Sequence, residues 1–255
     1  MAHSTVGMIF AAGKGTRLAP FTDSHPKALA EVGGVTMLER VIRRLVEDGI
    51  TDIVVNVHHF AEQIVDFLEV NKNFDANIVI SDETALLLDT GGALVKADAI
   101  LSRYDNVLIH NVDILSDIDL KELITHHSDL GAEASLLVSD RKSTRHLYFD
   151  DKNRLVGWGN DKTGQTIPDN LLSEIQHSLK PMAFGGIHII NTKKILPLLN
   201  TFTSEPVFSI IPFYAMYSRK LDIRGYVPAA KYNWYDIGSP DKLLEAERAL
   251  PLMKF

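Results

Sequence analysis

The sequence predicts an α/β protein with a Rossmann-like mixed, mainly parallel sheet flanked by helices. Short apolar runs, typical of strands buried on both faces, alternate with segments of helical periodicity over the first 140 residues. Beyond that point the pattern is less regular and includes a hairpin signal. No repeat, low-complexity tract or linker divides the 255 residues. We therefore expect one domain, 1–255, with halves of about 1–140 and 141–255.

The elements of the first half follow from the spacing of their apolar residues. Strands are expected at 6–12, 53–57, 77–81, 106–111 and 134–139, and helices at 36–48, 60–69, 91–101 and 120–129. The first helix carries the clearest boundary signals. Thr36 and Glu39 form a capping box at its start, and Gly49 ends it.

The second half is predicted from turns and short apolar runs. Strands at 147–149 and 155–158 flank the turn residues 150–153, and a polar loop is expected at 164–178. A strand at 183–190, a helix at 208–218 and strands at 223–227 and 232–237 follow. Ser239 is expected to cap a closing helix at 240–250.

Composition excludes several classes of protein. The net charge of −7 argues against a sequence-independent nucleic-acid binder, and the absence of cysteine excludes disulfides, thiolate nucleophiles and Cys-based zinc sites. No apolar run approaches the roughly 18 residues of a membrane span. The first residues lack the features of a secretory signal, so we expect a cytoplasmic protein without a membrane partner. The oligomeric state cannot be predicted from these features.

A glycine-rich turn, Ala-Ala-Gly-Lys-Gly-Thr-Arg at 11–17, follows the first strand directly. Its two glycines let backbone N–H groups approach a phosphate or a base, at the sheet edge where α/β proteins bind ligands. The dinucleotide fingerprint fails because Leu18 stands at its third glycine. The Walker motif fails because Lys14 is followed by Gly15 and Met8 occupies the first glycine position. An ordinary tight turn remains the alternative.

Two cations, Arg17 and Lys27, frame a proline-stiffened segment after this turn, and such a pair suits a polyphosphate. The stretch from Phe10 to Lys27 resembles the signature of the sugar-1-phosphate nucleotidyltransferases almost without a break over eighteen residues. The resemblance implies the fold of that family, with a nucleotide-binding first half and a sugar-binding second half. It implies that Arg17 and Lys27 bind the phosphates. The residues that it places near the nucleotide are Ala11, Ala12, Gly13, Gly15 and Thr16.

Two aspartates end apolar runs far apart in the chain. Asp113 follows the run 107–112, and Asp236 lies in Trp-Tyr-Asp-Ile-Gly-Ser-Pro at 234–240. Each could be an ordinary strand-end or capping residue. Carboxylates at the carboxyl ends of strands nevertheless face the ligand crevice, and Mg²⁺ is typically held by one or two of them together with substrate phosphates. The second segment closely resembles a family motif, whereas Val112 departs from the small residue usual before the first aspartate. By resemblance, Asp113 and Asp236 coordinate a catalytic Mg²⁺.

The resemblance also implies contacts to the base and the sugar. Glu83 and Gly91 are expected near the base, although Asp89 stands where many members have glycine. Gly186, in Phe-Gly-Gly-Ile at 184–187, is expected beneath the sugar. The Glu-Lys-Pro motif that binds the sugar phosphate in many members is missing, since residues 159–162 read Gly-Asn-Asp-Lys. The paired histidines at 58–59 and 126–127 are interpreted as surface or packing residues.

The expected reaction joins a nucleoside triphosphate to a sugar 1-phosphate and releases pyrophosphate. The compact length and the run Asp-Thr-Gly-Gly at 89–92 most resemble the N-acetylmuramate-1-phosphate uridylyltransferases. Mannose-1-phosphate guanylyltransferases and phosphocholine cytidylyltransferases are alternatives. A nicotinamide-dependent oxidoreductase would share the sheet, but Leu18 argues against it. A non-catalytic nucleotide sensor would retain the turn and lose the metal-binding aspartates, both of which are present.

Overall fold

The computed structural model describes residues 3–171 and 179–254. Its strands are β1 (Thr5–Phe10), β2 (Glu31–Val32), β3 (Val35–Thr36), β4 (Asp52–Val57), β5 (Asn77–Asp82), β6 (Asn106–Asn111), β7 (Ile114–Ser116), β8 (Ala134–Ser139), β9 (Arg145–Phe149), β10 (Leu155–Asn160), β11 (Gln165–Ile167), β12 (Lys180–Asn191), β13 (Ile223–Tyr226) and β14 (Trp234–Asp236). Its helices are α1 (Met37–Glu47), α2 (Ala61–Val70), α3 (Asp89–Leu101), α4 (Leu120–Leu130), α5 (Thr192–Leu199), α6 (Ile210–Tyr217) and α7 (Pro240–Ala249).

One central sheet takes strands from both halves of the chain, in the order β11-β10-β9-β12-β6-β1-β4-β5. Strand β8 also pairs with β12, and β13 pairs with β8. The ladders among β6, β1, β4 and β5 are parallel, whereas β12 runs antiparallel to β6, β8 and β9. The carboxyl ends of β1, β4 and β6 therefore meet at one edge of the sheet, which is where the loops of a ligand site gather.

The two faces of the sheet pack against different helices because side chains alternate along each strand. On β1, Val6 and Met8 join the core beneath α3, α5 and α6, while Ile9 joins the core beneath α1, α2 and α4. These side chains are at most 1% exposed. Each such burial stabilises the fold by about 1.5–3 kcal/mol. The α/β prediction, a mixed sheet with helices on both faces, is confirmed.

Helix α1 shows how local signals set element boundaries. The Thr36 hydroxyl accepts a hydrogen bond from the Glu39 backbone N–H at 3.2 Å, which is the first half of the predicted capping box, whereas the Glu39 carboxylate accepts from Nε of Arg43 at 2.7 Å. Gly49 follows the helix at φ +87°, a conformation that favours glycine. Residues Leu38, Ile42 and Leu45 form the buried stripe of the helix, at helical spacing.

The structure differs from the expected elements in several places. The predicted loop at 164–178 contains β11, which pairs antiparallel with β10, and its residues 172–178 lie outside the described part of the chain. Helix α5 was not expected; Asn191 caps it and Pro197 lies inside it. Strand β14 is shorter than the predicted strand at 232–237. Ser239 stands at the N-cap of α7, but its side chain makes no capping hydrogen bond, so that part of the prediction is wrong. Pro240 at the first helical position removes one of the donors that need a cap.

Candidate active site

A cavity of about 460 Å³ opens at the carboxyl edge of the parallel strands. The glycine-rich turn, the start of α3 and the loops after β6 and β14 surround it. Its lining residues are Phe10, Ala12, Gly13, Gly15, Thr16, Arg17, Lys27, Asn56, Leu87, Asp89, Thr90, Asn111, Val112, Asp113, Val207 and Gly238. We call it the first cavity. It is lined by most of the residues that the sequence places around a nucleotide and its phosphates.

Gly15 shapes the turn at the floor of this cavity. Its φ of +63° is left-handed, and a Cβ at this position would lie 2.8 Å from Cβ of Lys27. Its carbonyl accepts hydrogen bonds from the Leu18 N–H at 2.8 Å and the Thr22 hydroxyl at 3.0 Å. The glycine thus allows the turn to lie directly on the segment that carries Lys27, and it brings the turn and this cation into one surface.

Asn56, at the end of β4, holds the start of the turn in place. Its Oδ1 accepts the backbone N–H groups of Ala11 and Ala12 at 2.7 and 3.3 Å, and its Nδ2 donates to Oε1 of Glu83 at 2.7 Å. The other carboxylate oxygen of Glu83 accepts the Leu88 N–H at 3.0 Å. Glu83 is fully buried and is not among the lining residues of the first cavity. Its described contacts orient the loop before α3 directly, through the Leu88 N–H, and the turn through Asn56.

The start of α3 approaches the cavity through residues other than the predicted glycine. Gly91 is buried against Phe208: its N–H donates to the Phe208 carbonyl at 2.8 Å, and a Cβ there would lie 2.3 Å from that ring. Asp89 and Thr90 line the cavity instead. Asp89 has φ +58°, and its Oδ1 accepts the Thr90 N–H at 2.6 Å. Aspartate tolerates this left-handed conformation better than most residues.

The structure brings Asp113 and Asp236 together, although 122 residues lie between them in the chain. Strand β14 pairs antiparallel with β7, which sets Asp236 opposite Ile114, next to Asp113. The Ile237 N–H donates to the Asp113 carbonyl at 2.9 Å. Both aspartates line a second cavity that adjoins the first, and Asp113 lines the first cavity as well. The two carboxylates therefore share a face of the sheet beside the glycine-rich turn.

Each of these carboxylates has a lysine partner. Lys27, which is 8% exposed, forms an ion pair with Oδ2 of Asp113. Lys242 lies 2.6 Å from Oδ2 of Asp236, whose Oδ1 accepts the Gly238 N–H at 2.8 Å. Burial disfavours the ionised form of Asp236, but the hydrogen bonds from Lys242 and Gly238 outweigh it and lower its pKa. Asp236 is therefore an anion at neutral pH.

Arg17 lies over Gly238, next to Asp236. A Cβ on Gly238 would come within 2.8 Å of the guanidinium of Arg17 and 2.6 Å of Oδ1 of Asp236. The glycine therefore permits a close approach between the N-terminal turn and the C-terminal motif. Sequence reasoning missed Gly238 as a site residue, although it belongs to the motif that singled out Asp236.

A second cavity, of about 440 Å³, shares Asn111 and Asp113 with the first and extends beneath β12 and β14. Gly186 lies in it at φ +75°, and a Cβ there would be 3.0 Å from Nδ2 of Asn111. The remaining lining residues are Ile114, Arg141, Lys142, Arg145, Phe184, Trp234, Asp236 and Lys242. The Trp234 indole N–H donates to the Gly185 carbonyl at 2.8 Å, which fixes one wall.

The pair of carboxylates has the chemistry of a magnesium site that is completed by substrate. Within residues 3–171 and 179–254, no group of three or more His, Cys, Asp or Glu side chains is placed to enclose a metal ion. Mg²⁺ in nucleotide enzymes usually takes one or two carboxylates and fills its octahedron with water and phosphate oxygens. Asp113 and Asp236 fit that mode, and they do not form an all-protein cage.

Comparisons with known proteins agree with this fold and with the class of protein that the glycine-rich turn indicates. The nucleotidyl transferase family model matches residues 6–147. The N-acetylmuramate alpha-1-phosphate uridylyltransferase of Caulobacter vibrioides is 27% identical over 249 residues, which cover 96% of each chain. The mannose-1-phosphate guanyltransferase of Kluyveromyces lactis is 27% identical over 243 residues, which cover 93% of this chain and 62% of that protein. The solved structure of HddC from Yersinia pseudotuberculosis complexed with GMP-PN superposes with a TM-score of 0.72 at 19% identity, over 97% of this chain and 99% of that one.

The chain belongs to the nucleotidyl transferase family, because the family model covers more than half of it. It is a nucleotidyltransferase, as the resemblance of its first turn implied. Among the described residues, no helix has the length and apolar character needed to cross a bilayer.

Proposed function

We propose that this protein transfers a nucleoside monophosphate from a nucleoside triphosphate to a sugar 1-phosphate, giving a nucleoside diphosphate sugar and pyrophosphate. The observation that carries the proposal is the meeting of Asp113, Asp236 and Lys27 where the two cavities join. A donor in the first cavity and an acceptor in the second would meet at these three side chains.

The proposed donor lies in the first cavity, with its phosphates along the glycine-rich turn. Arg17 supplies a planar donor fork and Lys27 a compact charge, both beside the two carboxylates. Leu87 and Val207 provide apolar surface at the same cavity, and it suits a nucleobase. The hydrogen bonds of Asn56 to the Ala11 N–H and to Glu83 hold the turn in position.

The transfer itself requires little covalent chemistry from the protein. A phosphate oxygen of the acceptor forms a bond to the α-phosphorus, and the bond from that phosphorus to the oxygen bridging to the β-phosphate breaks. The electron pair leaves with pyrophosphate, so atoms and charge balance without a covalent enzyme intermediate. The chain contributes positioning of the two substrates and charge neutralisation by Arg17 and Lys27. When bound by Asp113 and Asp236, Mg²⁺ would add electrophilic stabilisation of the phosphate oxygens.

The substrates we favour are UTP and N-acetylmuramate 1-phosphate. The supporting comparison is the Caulobacter uridylyltransferase, because the alignment covers 96% of both chains. The guanyltransferase comparison supports GTP and mannose 1-phosphate as the second candidate, but this chain spans only 62% of that relative. A cytoplasmic location also remains a prediction from the sequence.

The test is pyrophosphate release from UTP, GTP, CTP and dTTP, each combined with N-acetylmuramate 1-phosphate, mannose 1-phosphate and phosphocholine in the presence of Mg²⁺. We expect release only when donor and acceptor are both present. The rate should be highest with UTP and N-acetylmuramate 1-phosphate. Release of pyrophosphate without any acceptor would contradict the transfer reaction. No release from any pair, with a folded protein that binds triphosphate, would overturn the proposal.

A further inference from the structure

The second cavity carries more positive charge than its carboxylates can neutralise. Its lining includes Arg141, Lys142, Arg145 and Lys242 against Asp113 and Asp236. Lys242 is paired with Asp236, and Asp113 is paired with Lys27 from the first cavity. In the part of the chain that the structure describes, the side chains of Arg141, Lys142 and Arg145 form no ion pair with a carboxylate.

Arg141 is fixed at the inner end of the cavity. It donates a hydrogen bond to the Phe184 carbonyl, and its guanidinium carbon lies 3.9 Å from the centroid of the Trp234 ring. Burial lowers the pKa of this half-buried arginine, and the negative charge of Asp236 acts in the opposite direction. Its buried Nε–H has no hydrogen-bond partner among the described residues. A guanidinium fixed in this way in the lining of the cavity is suited to binding an anionic group of the acceptor there.

Lys142 and Arg145 lie further out, on the segment that leads into β9. Both are exposed, and both line the same cavity as Arg141. Because neither makes an ion pair within the described part of the chain, an anionic ligand in this cavity would offset the repulsion between them. If the phosphate of an acceptor binds next to Arg141, then Lys142 and Arg145 are available to bind a different group of the same acceptor.

We propose that the acceptor of this enzyme carries two acidic groups, with its phosphate bound by Arg141 and a second acid, a carboxylate, bound by Lys142 and Arg145. This inference rests on the proposed function. A phosphate monoester carries a charge of about −1.5 to −2 at pH 7. With one carboxylate the total approaches the three positive charges of Arg141, Lys142 and Arg145. A sugar 1-phosphate whose sugar is uncharged compensates only part of this surplus, and phosphocholine compensates less, because its quaternary ammonium offsets part of the phosphate charge.

The first experiment compares N-acetylmuramate 1-phosphate with the same compound in which the lactyl carboxylate is an amide. The two acceptors differ by one charge at nearly equal volume. We expect kcat/KM for the amide to be about 10- to 100-fold lower. A loss of this size is typical when a hydrogen bond to a charged group is removed. Equal kcat/KM for acid and amide would overturn the inference while leaving the transferase reaction intact. Absence of turnover with every donor and acceptor would instead remove the proposed function, on which the inference rests.

The second experiment assigns the carboxylate to its side chains. Arg145→Gln and Lys142→Gln should each reduce the preference for acid over amide about 10-fold, through a higher KM for the acid acceptor rather than for the triphosphate. Lys72→Gln is the matched control, because Lys72 is exposed and lines neither cavity. Thermal unfolding of each variant checks its fold. An unchanged acid-to-amide ratio in both cavity variants would contradict the assignment.

Discussion

Lys27 is a buried cation that forms its ion pair with one carboxylate, that of Asp113. It is 8% exposed, and its partner Asp113 has a side chain that is 24% exposed. Removing one partner of such a pair leaves the other charge poorly compensated, which costs more than the pair itself contributes. The site and the stability of the chain are therefore linked at this position.

We expect Asp113→Asn to affect both activity and stability. Turnover should fall by about 10²- to 10³-fold, since a group that organises charge at the reacting phosphate is lost. The free energy of unfolding should fall by about 1–3 kcal/mol, because Lys27 loses its charged partner. Pyrophosphate release and urea denaturation measure the two effects. The control is Asp151→Asn in the exposed hairpin turn, where neither quantity should change. Full activity in the Asp113 variant would contradict the proposed role.

The two glycines of the N-terminal turn, Gly13 and Gly15, differ in how well their positions can accommodate a side chain. We expect Gly15→Ala to destabilise the protein by about 1–2 kcal/mol, because the position has φ +63° and a Cβ would meet Lys27. Gly13→Ala is the matched comparison for stability, since a Cβ there has no neighbour within 4 Å and its φ is not left-handed. Thermal denaturation of the two variants tests the difference. Equal melting temperatures would contradict the geometric argument.

At the scale of elements, the connection between β4, the turn after β1 and the loop before α3 depends on Asn56. The side chain serves two N–H groups and one carboxylate oxygen of the buried Glu83. Its loss leaves these N–H groups and that oxygen without the Asn56 contact, while the other oxygen of Glu83 keeps the Leu88 N–H. We expect Asn56→Ala to lower the free energy of unfolding by about 3 kcal/mol or more and to raise the KM for the triphosphate.

The appropriate control for Asn56 is Asn77→Ala. Asn77 also donates to a carboxylate, Asp52 at 2.8 Å, but it is exposed, so water replaces the lost contact. Its removal should change the free energy of unfolding by less than about 0.5 kcal/mol. Chemical denaturation followed by circular dichroism measures both variants. A similar small effect of both substitutions would show that the buried network is not required.

Elements with strong periodicity could be predicted from the sequence, and those that depend on distant partners could not. Helix α1 combines a cap, an apolar stripe and a terminal glycine, all of them local signals. Helix α5 contains Pro197, which argues against a helix, and strand β7 is three residues long and exists through its pairing with β14. Strand β11 lies in a polar segment and owes its conformation to β10.

The same division holds for the candidate site. Arg17, Lys27 and the two aspartates lie in contiguous motifs, so the resemblance of those motifs to a known family singles them out. Asn56 has no such local pattern, because its role arises only when β4 lies beside β1. Arg141 reaches the site by packing on Trp234, a contact between distant parts of the chain. Such positions require the tertiary structure before their chemistry can be recognised.

At the scale of the whole molecule, three buried histidines connect the fold to pH. Burial is the main cause that lowers the pKa of His110 and His127 to about 4 and of His188 to about 3. His188 has no hydrogen-bond partner for either ring nitrogen among the described residues, whereas His127 contacts the Ser135 hydroxyl at 3.0 Å. All three are neutral in the folded protein at neutral pH.

We expect the protein to lose stability as the pH falls below about 6.5. The unfolded chain binds a proton at each of these histidines near that pH, whereas the folded chain does so only near pH 3–4. Each histidine therefore contributes a slope that approaches 1.4 kcal/mol per pH unit, roughly, between these limits. Urea denaturation from pH 7.5 to 4.5 measures the slope, and His188→Phe should reduce it. A free energy of unfolding independent of pH over this range would contradict the expectation.

The lysine partners of Asp113 and Asp236 have a consequence for how the enzyme meets changing conditions. Because each carboxylate already has a counter-ion from the chain itself, the site does not depend on a divalent ion to relieve repulsion between the two acids. For the proposed Mg²⁺-dependent reaction, we therefore expect that a cell short of magnesium would hold inactive but folded protein. When the supply recovered, the proposed transfer would resume from that stock, without a new round of translation.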